Sequence, residues 1–383
     1  MTGAFRSGGR PAVGAGRRAA LICAVLIGTA SLAATPAQAS PRTRPVSTWQ
    51  TNGRVNAILE LGGITYLGGS FTRVSDHNGH SLAVSNLAAL DAGGNLVTGW
   101  TPRASSAVKA LAADGPDILA GGAFTRLDGN TRLHLALISP AGSLRSFKGH
   151  TNKQVDTLVV SDGTAYVGGL FTKANGTSRS YAVAFAATGG GLRSWNPAAD
   201  GRVDAILASD GKLVIGGMFG HVGHVYAPHL TAVDPSSGSA TAWAAHADAP
   251  VLGLAGDNGS VFAAIGGRGG MIAAYSSSGS LRWQDQTDGN VQAITTFSDE
   301  VIPGGHFNNF CDPGTNCRNP VIRHKIAALS EATGAIDPDW HPNVNSKLGV
   351  FAAFGSASWL EIGGDFTRVA GMPQTHFARF AGS

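Results

Sequence analysis

Between residues 55 and 380 the chain repeats one hydrophobic pattern: four short apolar runs, separated by turns rich in glycine, asparagine, aspartate and serine. The first run reads V-x-A-[IL]. It appears as VNAI at 55, VKAL at 108, VDTL at 155, VDAI at 203, VLGL at 251 and VQAI at 291, with LGVF at 348 the most altered copy. The second run ends in a glycine pair, beginning at Gly68, Gly121, Gly168, Gly216, Gly266, Gly304 and Gly363. The third is LAAL at 87, LALI at 135, AVAF at 182, LTAV at 230, IAAY at 272, IAAL at 326 and FARF at 377. The fourth closes on an aromatic residue: Trp100, Phe147, Trp195, Trp243, Trp283 or Trp340. Runs this short, bounded by turn residues, predict β-strands, and no stretch carries the longer period of an amphipathic helix.

The glycine pairs recur at intervals of roughly 50 residues, shortest after Gly266 and longest after Gly304. A period of this size with four strands per repeat predicts an all-β fold: a seven-bladed β-propeller of four-stranded antiparallel blades. The segment RPVSTWQTNGRV (44–55) reads as a fourth strand with Trp49 in the aromatic position, whereas the last repeat stops after its third strand. The N-terminal strand is therefore expected to complete the last blade and close the ring, removing the edges of an open array. Phe71, Phe124, Phe171, Phe219, Phe307 and Phe366 each follow a pair by two positions. They are expected to fill the space that the glycines leave between blades.

Residues 1–39 stand apart. Arg6, Arg10, Arg17 and Arg18 precede the apolar run 19–34, and Ala37 and Ala39 form an A-x-A end. This is the pattern of a secretory signal peptide, so residues 1–39 are expected to be removed, leaving a propeller domain over 40–383 outside the cell with no membrane span. Whether export is general or twin-arginine stays open. The whole chain holds 28 basic and 24 acidic side chains; without the four arginines of the signal the balance is 24 to 24. A neutral mature chain gives no electrostatic footprint for nucleic acid. Cys311 and Cys317 remain in CDPGTNC and are expected to pair as a disulfide across the Pro-Gly turn.

The distance from glycine pair to closing aromatic varies most, and that variation is assigned to the loop between the second and third strands. Loops on a rigid scaffold carry binding. The longest belong to the first repeat (75–86) and the sixth (308–325), while the fifth has almost none, which predicts a notch beside the sixth. The candidate ligand-binding rim is His77, His80, Asn308, Asn309, Arg318, Arg323 and His324, braced by Cys311–Cys317. Drift in loop length without any ligand predicts the same unevenness. His221, His224 and His229 share one loop, as a metal set or as separate loop residues. Arg73, Arg126, Lys173, His221 and Arg368 recur at one position, as a basic ring or as solvated strand ends. Asp156 and Asp204 sit on adjacent first strands, as acid/base groups or as polar lining of a channel. No motif implies a cofactor.

The phrase G-G-x-F-[TS]-x-[VL]-x-G, followed by an A-x-L strand and a turn leading to Trp-x-Pro, resembles the delta-60 repeat over roughly residues 45–380. That resemblance implies a propeller outside the cell, related to repeats of fungal cortical-marker surface proteins, with no catalytic residues to carry over. The turns 330–340 and 234–243 also resemble tryptophan-docking repeats of quinoprotein dehydrogenases, but the vicinal cysteines of those enzymes are missing. Two function classes follow. One is a non-enzymatic extracellular module, a monomer binding or scaffolding a protein or glycan. The other is a secreted enzyme acting on polysaccharide as a lyase or hydrolase.

Overall fold

The computed structural model describes residues 40–209, 211–267, 269–311 and 319–382, so the expected signal segment lies outside the described residues. Every regular element among the described residues is a β-strand. Among the described residues seven three-stranded units repeat one plan, seen in unit 1 as a first strand Val55–Leu61, a second strand Ile64–Gly69 and a third strand Leu87–Leu90. The second strand lies between the other two, antiparallel to both. Among the described residues the expected fourth strand is a continuous strand only in unit 5, over Leu281–Thr287. In five other units it shrinks to one antiparallel bridge, such as Leu90 with Leu96 or Ile138 with Leu144. Beyond the bridge the chain leaves the sheet for the next unit. There the indoles of Trp100 and Trp195 donate to the carbonyls of Ser139 and Asp234.

The glycine pair makes room for the first strands and, at Gly69 and Gly364, for the rings of Phe71 and Phe366 as well. Each first strand carries a β-bulge, between Val55 and Ala57 in unit 1, and in every unit but the fifth the pair lies opposite it. A methyl group on Gly68 would sit 2.7 Å from Val108 Cγ1, the first valine of unit 2. Gly121 meets Val155, Gly168 meets Val203, Gly216 meets Val251, Gly304 meets Val350 and Gly363 meets Val55 in the same way. The second glycine faces backbone: that of Gly69 lies against the carbonyl of Arg54. The phenylalanines do fill space between units, on the side of the preceding one. Phe124 shares a core with Tyr66, Leu87 and Trp100, and Phe171 with Leu119, Leu135 and Leu137. Burying each such ring stabilises by roughly 1.5–3 kcal/mol.

Two alignments from sequence are corrected by the pairing. In unit 5 Val251 pairs with Ile265 and Gly253 with Ala264, so Ala264 and Ile265, not Gly266 and Gly267, hold the glycine positions. In unit 7 Val350, not Leu348, is the first-strand valine, paired with Gly364. Both shifts are by two positions, which preserves the side-chain alternation and hides them from pattern matching. With them corrected, the step from valine to pair is identical throughout. It runs from Val55 to Gly68, Val108 to Gly121, Val155 to Gly168 and Val203 to Gly216, then from Val251 to Ala264, Val291 to Gly304 and Val350 to Gly363.

The segment after the phenylalanine, expected as a loop, is a small hairpin: Arg73–Ser75 with Ser81–Ala83 in unit 1 and Arg126–Leu127 with Asn130–Thr131 in unit 2. Asp128–Gly129, Asn175–Gly176 and Ala370–Gly371 turn these hairpins with positive φ at both residues, the geometry of two-residue turns matched to strand twist. Outside unit 5, a polar side chain near the start of the first strand clamps the hairpin base, Ser105 doing so in unit 2. Asn52 Oδ1 accepts from the amides of Thr72 and Arg73, and Asn152, Asp200, Asp288 and Asn345 act alike.

The N-terminal segment lies beside the last unit. Val46 bridges Arg379, Arg42 N donates to Ala381 O, and the Trp340 indole donates to Arg42 O. Gln50 Nε2 donates to Gln374 Oε1 at 2.7 Å. Trp49 is only half-buried, unlike Trp100 or Trp195.

Candidate functional site

The uneven rim resolves into one cleft, between units 6 and 7 rather than 5 and 6. At the expected notch, Phe310 and Cys311 of the unit 6 hairpin pair with Thr287 and Gln286 of unit 5, so the two units are joined there by a ladder. The cleft, of about 500 Å³, is lined by Asn308, His324 and Lys325 on one side and by Asn343–Lys347, Arg368 and Gly371 on the other.

Local sequence explains how the cations reach it. Unit 7 has an irregular first strand, Val344–Gly355, whose register slips between Ser346 and Val350. Ser346 Oγ accepts from the amides of Leu348 and Gly349 and so holds this bulge, leaving Lys347 exposed. Gly349 has φ +103, and a side chain there would run into the Gly305 carbonyl, so only glycine fits. Lys325 occupies a repeated left-handed position, with φ 72, where other units carry Asn86, His134, Tyr181, His229 or His376. Its amide donates to Phe307 O and its carbonyl accepts from Gly305 N. Lys325 Nζ donates to His306 O and to Asn308 Oδ1 at 2.9 Å. Burial lowers its pKa, and the nearby Asp288 pulls it back up. Arg368 is exposed and donates to Gly371 O across its own hairpin turn. Among the described residues the lining therefore combines three cationic side chains, a histidine and several amides, with no carboxylate.

Of the expected rim residues, Asn308 and His324 line this cleft and lie together, His324 Nδ1 being 3.4 Å from Asn308 Oδ1. His77 and His80 belong to the unit 1 hairpin turn, where His80 Nδ1 lies 2.7 Å from Asp76 Oδ2 and holds that carboxyl below its usual range. Asn309 is committed to Asp288, which accepts from its amide and its side chain. Arg323 is corrected from rim to interior. It is 8% exposed, and its guanidinium donates to the carbonyls of Ile322 and Asp337. Arg318 and Cys317 lie outside the described residues. Cys311 is buried at the end of a paired strand, inside the sheet rather than beyond it.

The remaining candidates separate. His221 Nδ1 lies 2.9 Å from Asp200 Oδ2, and His229 Nδ1 lies 3.1 Å from the Gly217 carbonyl, as His134 and His376 do with their own glycines. Among the described residues no three His, Cys, Asp or Glu side chains are grouped to hold a metal. Arg73, Arg126, Lys173, His221 and Arg368 are exposed hairpin residues whose amides carry the clamp.

Asp156 and Asp204 lie where the first strands converge. A cavity of about 210 Å³ is lined by residues of all seven first strands, among them Asn56, Leu111, Thr157, Asp204, Leu252, Gln292 and Phe351. Lys109 Nζ is 2.7 Å from Asp156 Oδ1, and Arg202 Nε is 2.6 Å from Asp204 Oδ1. Burial pushes the Asp204 carboxyl up to about 6, with Arg202 opposing and Asp156 adding to the shift.

No family model and no curated protein matches the chain. Solved structures do. The chain is similar to a computationally designed protein, Ika8, with TM-score 0.57 and 13% identity over 88% of this chain and 98% of that one. It is similar also to the WD40 β-propeller domain of Doa1, with TM-score 0.57 and 11% identity over 88% of this chain and 96% of that one. The fold is a β-propeller.

Proposed function

We propose that residues 40–383 form a seven-bladed propeller closed between its first and last units, exported and acting outside the cell as a non-enzymatic binding module for an anionic glycan. The contact of Gly363 with Val55 and the seven strands around one cavity support the blade count and the closure. The repeat phrase supports a place among delta-60 propellers, and CDPGTNC supports a Cys311–Cys317 disulfide.

The observation that carries the binding role is the cleft with Lys325, Lys347, Arg368 and His324 and, among the described residues, no carboxylate in its lining. Cations around a concave, amide-lined surface favour carboxylate- or phosphate-bearing sugars, and exposed charges make such binding salt-sensitive. The test is titration of the mature protein with polyuronate, with teichoic-type polyphosphate and with neutral glucan at two salt concentrations. The double variant K347E/R368E spares the structural Lys325. Binding of an acidic polymer that falls at least tenfold in the variant supports the reading; equal binding of neutral and acidic polymers, or an unaffected variant, sinks it. A protein surface as ligand would appear as no glycan binding at all.

The second reading, an enzyme acting on polysaccharide, is favoured by Asp204, whose raised pKa suits a general acid. Product release from polyuronate or glucan by the mature protein, abolished by D204N, would replace the binding role.

A further inference from the structure

Ser40 is the first described residue, and its hydroxyl lies between two carboxylates. Ser40 Oγ is 3.2 Å from Glu300 Oε1 and 3.1 Å from Asp337 Oδ2. One hydroxyl carries one hydrogen and cannot donate to both at once. Glu300 is 3% exposed, and its second oxygen, Oε2, is buried with no hydrogen-bond partner. Charged groups around this pocket are mostly of one sign. Asp337 and Asp299 both act on Glu300, while Arg323, the nearby cation, spends one donor on the backbone carbonyl of Asp337. A buried carboxylate with an unused oxygen and an acidic neighbour is costly unless a cation or further donors reach it.

The chain itself supplies such a group. Arg42 N donates to Ala381 O, Pro41 bridges Gly382 and Val46 bridges Arg379, so the backbone around Ser40 is fixed beside the last strand. The nitrogen and Oγ of one serine are held close by short covalent geometry. We infer that the α-ammonium created by cleavage after Ala39 is seated against Glu300 and Asp337, so that removal of the leader completes an ion pair and fastens the N-terminal segment, already paired with unit 7, to unit 6. The inference rests on cleavage at that bond. An ammonium has three donors, enough for Glu300 Oε2 and Asp337 with the hydroxyl left for Glu300 Oε1. While the leader is attached, the same nitrogen is a neutral amide. Burial, with Asp337 beside it, pushes the Glu300 carboxyl up to about 7.

The ion pair is read by labelling the α-amine of protein purified from the medium with an amine-reactive ester at pH 7, with the lysines as internal reference. A free α-amine has a pKa of about 7.7–8.0, and an increase of one unit cuts its reactive fraction roughly five- to tenfold. The α-amine should therefore label roughly five- to tenfold more slowly in the natural sequence than in E300Q/D337N. Should the double variant not be recovered, a Gly-Ser insertion between Ala39 and Ser40 moves the ammonium away. It should lower the melting temperature in the natural background and leave it unchanged in E300Q. Equal labelling rates on a chain correctly cut after Ala39 would overturn the ion pair alone. Residues 1–39 still attached to the exported protein would overturn the cleavage reading and the pair together.

Discussion

Arg379 Nε lies 2.7 Å from Glu361 Oε1, with both side chains almost wholly buried between the last unit and the first. Arg379 Nη2 donates to Thr65 Oγ1, and Nη1 donates to the carbonyls of Ala92 and Asp91. Thr65 Oγ1 in turn donates to Glu361 Oε1 at 2.9 Å. One guanidinium thus ties both ends of the repeat. Burial pushes Glu361 up, while Arg379 and Thr65 pull it back. Removing one partner strands a buried charge, so Arg379→Met should cost about 3–5 kcal/mol. Arg379→Met with Glu361→Met should recover much of that. Denaturant midpoints check this, and a single variant within about 1 kcal/mol of the natural protein would show that the pair is dispensable.

Deletion of residues 40–52 should weaken the whole fold. It removes the Val46–Arg379 bridge, the Gln50–Gln374 hydrogen bond and the acceptor of the Trp340 indole. Trp49 contributes less than its sequence position suggests, because it is half-buried. Trp49→Ala should therefore cost less than Trp100→Ala, for which about 3–5 kcal/mol is expected. The deletion should lower the melting temperature by more than about 5 °C. Coincident melts would mean that the last unit does not depend on this segment.

The unit plan was legible because Val, Gly and Phe recur at fixed steps in nearly every unit, each first glycine making room for a neighbouring valine. The step from Val55 to Gly68 is kept from unit to unit, however much the connections between units vary. The hairpins were visible in principle as the Asp128–Gly129 and Asn175–Gly176 turns, but so short a strand carries too little alternation to register. The cleft was half legible. Asn308 and His324 came from loop length, whereas Lys347 reaches the cleft through a bulge held by Ser346, and Lys325 through a left-handed backbone position. Neither leaves a periodic trace. Arg323 was misplaced for the opposite reason: a charged residue in a long loop reads as exposed until its partners, the carbonyls of Ile322 and Asp337, are known.

The two glycines of each pair should respond differently to alanine. At Gly68 the added methyl meets the side chain of Val108, with Leu111 beyond it. At Gly69 it meets the Arg54 carbonyl, which no side-chain change can move, and the Phe71 ring at 2.8 Å. Gly68→Ala should cost about 1–3 kcal/mol as overpacking, and Val108→Ala in the same chain should offset part of the clash. Gly69→Ala should cost more and gain nothing from Val108→Ala. A double-mutant cycle measures the difference; equal coupling at both glycines would contradict the contact assignment.

Asp204 gives the molecule a pH dependence of known sign. Its folded pKa, about 6, lies above the ordinary aspartate value of 3.8, because burial outweighs the attraction of Arg202. Between those two values the folded chain holds a proton that the unfolded chain has lost. The Asp204 contribution to stability must therefore fall as pH rises through that window, and it levels off above it. Asp285 and Glu331, pushed up to about 6 and about 7 by burial, act in the same direction. Asp204→Asn removes only its own share. Relative to the natural protein, the variant should gain stability as pH rises from about 4 to 6 and hold a constant difference above that. Melts of the two proteins in parallel buffers check this. Curves that stay parallel across the window would mean that Asp204 is ionised in the folded state at acid pH. The Arg202 contact would then dominate over burial, and Asp204 would hold no proton to donate as the acid of the enzymatic reading.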